Sequence, residues 1–355
     1  MKNKKLLVML GALVVLLVGV FAFSLADSGE GETQEGSPET SEETETSEAT
    51  EETDEEETFV VGILQTTSHP ALDAITEGAI DGLAENGYVD GENTEVVFQN
   101  GQGDQNLMNT MAQSLVEDGA DILIGIGTPA SQAFANATDE IPIIMGAVSD
   151  PVGAGLVDSE EAPGKNITGV KDEAPVQAQL DMMLELLPEA TDIGVLYSSG
   201  EDNARAEAER AVTAIEDMGL TPVEYTVSST NEIQQTVATM AQEVDAIYLP
   251  TDNTIASAFD TVVSEANRYD VPLVPTVDSM IAQGGLATVG INQTATGFES
   301  GRMAAEVLDG TDPSDFPVYV LREGDKLVNL EQAELLGIDI PQSVLDEATV
   351  IEAND

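Results

Sequence analysis

The sequence predicts an α/β protein made of two doubly wound parallel-sheet lobes joined by a hinge. About 300 residues follow Thr58, which suits two domains of ordinary size. Along them, strand-like apolar runs alternate with helical patterns, as in parallel sheets that carry helices on both faces. A Gly/Pro/Asp-rich stretch over 149–164 interrupts this alternation, and we interpret it as a crossover between the lobes.

The first predicted strand, 59–65, leads through a polar loop into a helix predicted over 70–86. This places the loop at the carboxyl edge of a parallel strand, where open α/β sheets bind small molecules. We therefore expect ligand contacts from Gln65, Thr66 and His69.

His69 is the single histidine of the chain. We favour a hydrogen bond from it to the ligand or to the loop backbone over a catalytic role. The sequence offers no cysteine, no nucleophile elbow and no histidine-based metal motif that would complete a catalytic set. We expect no enzymatic activity and no cofactor.

The rest of the first lobe repeats the strand and helix alternation. Further strands are predicted at 94–99, 121–126 and 141–148, and helices begin near Asp104 and Pro129. We assign residues 59–148 and part of 293–355 to this lobe.

The turn over 125–131 offers backbone N–H groups and hydroxyl groups at the start of a predicted helix. Thr128, Pro129 and Ala130 form this helix start, and proline is favoured at the first helical position. Such an amino end suits a carboxylate group, although a plain helix cap explains the same residues equally well.

We expect hinge crossovers at 149–165 and 278–292. Ser149 and Asp150 in the first crossover are candidate ligand contacts. An aspartate before a proline is, however, more typical of a turn.

The second predicted lobe covers 166–277. It contains a helix at 175–187, strands at 192–198, 222–227, 245–249 and 272–277, and helices that begin near Asn203, Asn231 and Thr254. Residues 286–291 and a helix after Thr294 then return to the first lobe, and 318–328 forms a last pair of strands near the hinge.

Polar residues at the strand ends of this lobe are further ligand candidates: Ser199, Asn203, Thr251, Asp252, Asn253 and Asp278. An ammonium group needs an anion, which Asp252 or Asp278 would supply. An N-cap role for either aspartate is a nearly equal alternative, and Ser/Asn clusters commonly act only as caps.

Residues 1–26 are typical of an exported protein, since three lysines precede an almost wholly apolar run. The run is either a cleaved signal peptide or an uncleaved membrane anchor, because a membrane helix needs about 20 residues. Attachment through a lipidated cysteine is excluded, since the chain has no cysteine.

Residues 27–58 carry 15 acidic residues, no basic residue and no large apolar residue. Such a composition cannot bury a core, so we predict a disordered acidic tether. A solubilising acidic tail is the alternative interpretation.

The remainder of the chain is also strongly acidic, with 52 acidic against 8 basic residues. This charge makes nucleic acid an improbable partner, because duplex binding needs Lys and Arg to neutralise phosphates. It indicates a saline habitat, where salt screens the repulsion between carboxylates.

Raising salt from about 0.1 M to molar concentration is therefore expected to raise the melting temperature, since the Debye length falls to roughly 3 Å at 1 M. Calorimetric melts across a salt series measure this. A melting temperature that does not respond to salt would contradict the saline-habitat inference.

Several segments together resemble the tryptophan/tyrosine-binding family of ABC-transporter substrate-binding proteins. They are Gly125-Ile-Gly-Thr-Pro-Ala130, Ser149-Asp-Pro-Val-Gly-Ala-Gly-Leu156, Asn166-Ile-Thr-Gly-Val170, Gly194-Val-Leu-Tyr-Ser-Ser199 and Leu249-Pro-Thr-Asp-Asn253. The resemblance covers nearly all of 59–350 and implies the type I periplasmic-binding-protein-like fold. The missing lipidation cysteine departs from the usual Gram-positive pattern.

This resemblance implies that the protein captures a small solute between its two lobes and delivers it to an ABC permease and its ATPase. The apolar run and the acidic spacer before the first strand predict an extracytoplasmic protein tethered to the outer face of the cytoplasmic membrane. The His69-Pro-Ala-Leu-Asp73 loop resembles the aromatic amino acid branch, with L-tryptophan as first choice. Phe134, Tyr197 and Tyr248 are candidates to stack on the ring. The alternative function is a ligand-sensing module for a membrane signalling partner, which uses the same fold.

Overall fold

The computed structural model describes residues 58–321 and 324–351. The predicted signal or anchor at 1–26 and all of the predicted tether except Thr58 lie outside these residues. Among the helices of the described part, none combines the length and apolar character that a membrane crossing requires.

The strands follow one another along the chain with helices between most of them. The strands are β1 (Phe59–Gln65), β2 (Thr94–Asn100), β3 (Ile122–Ile126), β4 (Ile143–Gly146), β5 (Ile167–Asp172), β6 (Asp192–Ser198), β7 (Thr221–Val227), β8 (Ala246–Leu249), β9 (Leu273–Pro275), β10 (Ala287–Gly290), β11 (Tyr319–Leu321), β12 (Asp325–Asn329) and β13 (Thr349–Ile351). The helices are α1 (Pro70–Glu85), α2 (Gln105–Glu117), α3 (Thr128–Ala137), α4 (Val176–Leu186), α5 (Asp202–Asp217), α6 (Thr230–Met240), α7 (Asn253–Ala256), α8 (Phe259–Asn267), α9 (Gln293–Leu308), α10 (Leu330–Leu336) and α11 (Gln342–Glu347).

Lobe 1 is built on a six-stranded sheet in the order β2-β1-β3-β4-β5-β11, and every neighbouring pair is parallel. Its central strands are apolar throughout: all five residues of β3 are buried, as expected for a strand covered on both faces. Lobe 2 contains a four-stranded parallel sheet in the order β7-β6-β8-β9. The predicted α/β class with two parallel-sheet lobes is confirmed.

A smaller sheet in the order β10-β12-β13 completes lobe 2. β10 and β12 are antiparallel, whereas β12 and β13 are parallel. Met182 and Leu186 of α4 share a buried apolar cluster with Leu286, Val328 and Val344, so this sheet packs on α4. Residues 325–351 therefore belong to lobe 2.

The first crossing between the lobes lies later in the chain than the predicted crossover at 149–165. That segment is a surface loop of lobe 1: Leu156 and Val157 pack in the lobe 1 core, and the Gly164 N–H donates to the Ser314 carbonyl. β5 then pairs with β4 in the lobe 1 sheet. The crossings follow β5, β10 and β11, so the predicted second lobe began too early. The Gly/Pro/Asp composition marks an irregular loop, which here is not a hinge.

Helices α1 and α9 of lobe 1 approach each other through four glycines, two on each helix. A Cβ at Gly297 would lie 2.0 Å from the Ile75 carbonyl oxygen, and one at Gly301 would lie 2.0 Å from that of Ala79. Gly78 and Gly82 meet the α9 backbone at 2.4 and 2.2 Å in the same way. Backbone therefore packs directly on backbone, which no larger residue permits.

The two lobes are in contact across the cleft. His69 Nε2 of lobe 1 lies 3.2 Å from Asn253 Oδ1 of lobe 2, and Gln132 Nε2 donates to Asp202 Oδ2 over 3.1 Å. Ala71, at the start of α1, packs in the apolar cluster of lobe 2. The lobes thus face each other in a closed arrangement.

Candidate functional site

A cavity of about 20 Å³ lies between the lobes, at the carboxyl ends of strands from both sheets. Its lobe 1 wall includes the turn after β3, the end of β4 and the last residue of β5. Its lobe 2 wall includes the start of α5 and the loop between β8 and α7. This is the position at which doubly wound sheets bind ligands.

Gly127 and Thr128 form one end of the cavity, where β3 turns into α3. Gly127 has φ +87°, a left-handed conformation that glycine adopts without strain. The Thr66 hydroxyl fixes the turn by donating to the Ile126 carbonyl over 2.9 Å and accepting from the Ala130 N–H over 3.3 Å. Thr128, the first residue of α3, lines the cavity. The amino end of this helix is a suitable site for a carboxylate.

Asp172, the last residue of β5, also lines the cavity. Its side chain is buried, and the Ser149 hydroxyl donates to it over 3.3 Å. Within the described residues it forms no ion pair. Burial and, next, the nearby Glu207 carboxylate raise the pKa of Asp172 to about 7, although Arg210 acts in the opposite direction. A buried carboxylate without a cation partner is a favourable site for an ammonium group.

Asn203 of α5 brings a second acceptor from lobe 2. Its Nδ2 donates to the Thr251 carbonyl over 2.9 Å and also approaches Glu201, which fixes the orientation of the amide. The Oδ1 atom is buried without a hydrogen-bond partner in the described part of the chain. Because buried acceptors are nearly always paired, this oxygen indicates a donor on the ligand.

Asp252 and Glu201 hold the lobe 2 loop. Asp252 caps α7 by accepting from the Ile255 N–H over 2.9 Å, and its other oxygen accepts from the Ser198 N–H. Glu201 accepts from the backbone N–H groups of Asn253 and Thr254. Burial and the neighbouring Glu201 raise the pKa of Asp252 to about 7. Both oxygens of Asp252 are thus already used, in agreement with the N-cap alternative.

His69 lines the cavity and forms the cross-lobe contact with Asn253. Asn253 Nδ2 donates to Glu201 over 2.6 Å, so its Oδ1 accepts, and His69 donates through Nε2. Burial lowers the pKa of His69, which keeps the imidazole neutral at pH 7. Over the described residues no group of three or more His, Asp or Glu side chains could hold a metal. His69 therefore acts as a hydrogen-bond donor between the lobes.

The remaining wall is aliphatic apart from the Gln293 amide, whose Nε2 donates to the Ile291 carbonyl, and it consists of Ala71, Leu72, Ile75, Ala147, Ala256 and Val277. Ala147 has φ +66°, an uncommon conformation for a residue other than glycine and one often found at functional sites.

The three aromatic candidates lie elsewhere. Phe134 is in the lobe 1 core, the Tyr248 hydroxyl donates to Gln179 in the lobe 2 core, and the Tyr197 hydroxyl donates to Glu224 at the surface. None of the three lines the cavity.

Of the predicted contacts, the structure brings His69, Thr128, Ser149, Asn203 and the loop 251–253 to the cavity. Thr66 and Pro129 face a neighbouring space between the lobes.

Other predicted contacts lie away from both spaces. Gln65 binds Asp73 and Thr76 and holds the loop before α1. Ala130 is in the lobe 1 core, and the Asp150 carboxylate accepts from the Gly153 N–H in a turn. Ser199 is exposed and donates to the Val227 carbonyl.

Asp278 also does not line the cavity. It begins a short 3₁₀ helix and accepts from the Ser279 N–H.

Asp172 was missed from the sequence because the segment 166–170 was assigned to the second lobe as a marker without ligand contacts. Asp172 ends a parallel strand, the position that identified the loops after β1 and β3, but Thr168 and Lys171 interrupt the apolar pattern of this strand.

Comparisons with known proteins identify the family. Residues 60–351 match the family model for the ABC transporter substrate binding protein. A tyrosine-binding protein of Clostridioides difficile (strain R20291) is 35% identical over 295 residues, which cover 83% of this chain and 85% of that protein.

Among solved structures, an ABC domain from Streptococcus pneumoniae in complex with L-Trp is 46% identical, with a TM-score of 0.81 over 83% of this chain and 100% of that chain. The ligand-free, open structure of a substrate-binding protein with adhesive properties from Clostridium difficile is 34% identical, with a TM-score of 0.64 over 83% of this chain and 100% of that chain.

Proposed function

Since the chain belongs to the ABC transporter substrate-binding protein family, we propose that it captures an aromatic amino acid between its lobes and delivers it to a permease driven by a cytoplasmic ATPase. L-tryptophan is our first choice of ligand, with tyrosine or phenylalanine next. Family members work outside the cytoplasm and bind solutes without transforming them.

The observation that carries the proposal is a pair of buried acceptors, one from each lobe, among the residues that line the cavity. The Asp172 carboxylate from lobe 1 and the buried Asn203 Oδ1 from lobe 2 together suit an ammonium group. The amino end of α3 at Thr128, which suits a carboxylate, lines the same cavity. A zwitterion in a closed cleft needs partners for both charges, because an unpaired buried charge costs several kcal/mol.

Two observations support an aromatic side chain on this ligand. The aliphatic residues Leu72, Ile75 and Val277 offer an apolar wall to a ring. The two relatives named above bind, by their descriptions, tyrosine and L-Trp. The ring would then be held by aliphatic packing, which buries apolar area without stacking.

Binding by lobe closure follows from the dimensions of the site. A cavity of about 20 Å³ is too small to hold an amino acid, so the lobes must move apart from this arrangement before a ligand fits between them. Asp172 and Asn203 belong to different lobes and meet one ligand only when the lobes approach. The ligand therefore shifts the population towards closure by its differential affinity. The TM-scores to the L-Trp complex and to the open relative, 0.81 and 0.64, agree with a closed arrangement here.

Attachment to the outer face of the membrane through residues 1–26, with 27–58 as spacer, is also part of the proposal. A coil of this length would reach roughly 30 Å on average. The support for it is the apolar run followed directly by an acidic segment.

Isothermal titration calorimetry of the purified protein tests the proposal. We expect saturable heat with L-tryptophan, L-tyrosine or L-phenylalanine, and an affinity at least about tenfold weaker for L-leucine and L-lysine, because these lose the ring or add a charge against the aliphatic wall. N-acetyl-L-tryptophan is the matched control, since it keeps the ring but lacks the ammonium group. Absence of heat with all three aromatic amino acids would exclude the assignment.

A further inference from the structure

We propose that the cleft has a second compartment that holds an uncharged polar extension on the carboxyl end of the ligand. The chemical class it would take is an amide or short peptide whose first residue is an aromatic amino acid with a free amino group. This inference rests on the proposed function and extends its range of ligands.

The second compartment lies next to the first cavity and is much larger, about 290 Å³ against about 20 Å³. Both lobes line it, and Asn253 lines both spaces. The turn at the start of α3 is also shared, because Gly127 and Thr128 face the first cavity whereas Pro129 faces the second. A ligand carboxyl carbon at Thr128 is therefore beside the second compartment.

The lining of the second compartment is polar and almost uncharged. It includes hydroxyl groups of Ser228, Thr230 and Thr254 and the amide of Gln102. Glu201 is the one ionisable side chain among its lining residues, and it already accepts from backbone N–H groups. Hydroxyl and amide groups suit neutral hydrogen-bonding partners such as peptide amides, whereas a free carboxylate would meet Glu201.

Ser198 provides an independent indication of a ligand here. It ends β6, lines the second compartment and is 2% exposed. Its backbone N–H donates to Asp252, but its hydroxyl has no partner within the part of the chain that the structure describes. Because buried hydroxyls are nearly always paired, this one is available to a group on the ligand.

The amino end and the carboxyl end of the ligand would have different surroundings, and this difference can be tested. Asp172 lines the first cavity and not the second, so the amino end of the ligand points into the small, closed side of the cleft. An extension on the carboxyl end reaches the second compartment. An extension on the amino end removes the ammonium from Asp172, and the space of about 200 Å³ that Asn203 also lines is bordered by charged side chains instead of neutral ones.

Calorimetry with three probes measures this asymmetry: L-tryptophan, L-tryptophyl-glycinamide and glycyl-L-tryptophan. We expect the glycinamide to bind within about tenfold of L-tryptophan and glycyl-L-tryptophan to bind at least about a hundredfold more weakly, because a buried charged partner is lost. Equally weak binding of both extended probes, with L-tryptophan bound, would overturn the second compartment and leave the proposed function intact. Binding of none of the three, and of no other aromatic amino acid, would overturn both.

Substitution of Ser198 adds a second measurement. Ser198→Ala is expected to weaken the glycinamide about 3- to 10-fold more than L-tryptophan, the value of a neutral hydrogen bond. Ser300→Ala is the matched control, since Ser300 is equally buried but donates to the Thr296 carbonyl within α9. If the ratio of the two affinities is the same in Ser198→Ala as in the control, the hydroxyl does not contact the extension and the compartment is wrongly assigned.

Discussion

Replacing Asp172 by asparagine is expected to weaken binding of the aromatic amino acid by about 2 to 5 kcal/mol, or roughly 30- to 4,000-fold. The carboxylate is buried at the end of β5 and forms no ion pair within the described residues, so the ligand ammonium would be its cation partner. Asparagine keeps the shape of the side chain but removes its charge. Calorimetry with L-tryptophan measures the loss.

The same variant should also lose the pH dependence of binding. Because the pKa of Asp172 is about 7, the wild-type carboxylate gains a proton as the pH falls below 7, and the affinity should fall with it. Asp252 titrates in the same range, but its oxygens accept backbone N–H groups. The slope of affinity between pH 8 and pH 5 should therefore be much smaller in Asp172→Asn.

A measurement of the melting temperature separates loss of binding from misfolding. A carboxyl group whose folded pKa is raised destabilises the folded state increasingly as pH rises from about 4 to about 7. Asp172→Asn removes this penalty, so at pH 8 the variant should be at least as stable as the wild type. Asp139→Asn, at an exposed position of lobe 1, is the control. Near-native affinity in Asp172→Asn would show that the ammonium binds elsewhere, and Asp252 would be the next residue to test.

Introducing valine at Gly297 is expected to lower the free energy of unfolding by about 3 kcal/mol or more, the upper part of the range for overpacking. A Cβ there would lie 2.0 Å from the Ile75 carbonyl oxygen, and this neighbour is backbone that cannot rotate away. Ile75 also lines the cavity, so separation of α1 from α9 should weaken ligand binding. Urea unfolding followed by circular dichroism measures the change.

Ala295→Val is the matched control, because Ala295 is exposed on the same helix and receives the same residue. It should change stability by less than about 0.5 kcal/mol, as surface substitutions usually do. If Gly297→Val is as stable as this control, the close contact of α1 and α9 does not exist in solution.

Much of the fold could be predicted because it depends on local patterns. β1 and β6 begin and end where the alternation of strands and helices placed them, and α1 begins at Pro70 as expected. The assignment of strands to lobes was harder. β5 lies directly after an irregular loop, and only its pairing with β4 shows that it belongs to lobe 1. Such pairing depends on contacts between distant residues, which periodicity does not report.

The candidate site, too, could be predicted only where it depends on local patterns. His69, Thr128 and the loop 251–253 follow strands, and their position predicted that they lie near the ligand, because all parallel strands of a lobe end at one edge. They do line the cavity. The partners of each side chain were not predictable in this way. The sequence left open whether Asp252 is a cap or a ligand contact. The structure shows the cap, through two backbone hydrogen bonds, at a residue that also lines the cavity.

Lobe 1 is assembled from two separate parts of the chain, and this has a consequence for the order of folding. The glycine face of α1 is covered by α9, which follows most of lobe 2 in the sequence, and the edge strand β11 comes later still. A chain that emerges amino end first therefore cannot finish lobe 1 until nearly all of it has appeared. Until then the face of α1 stays uncovered, and folding waits on a contact of high sequence separation.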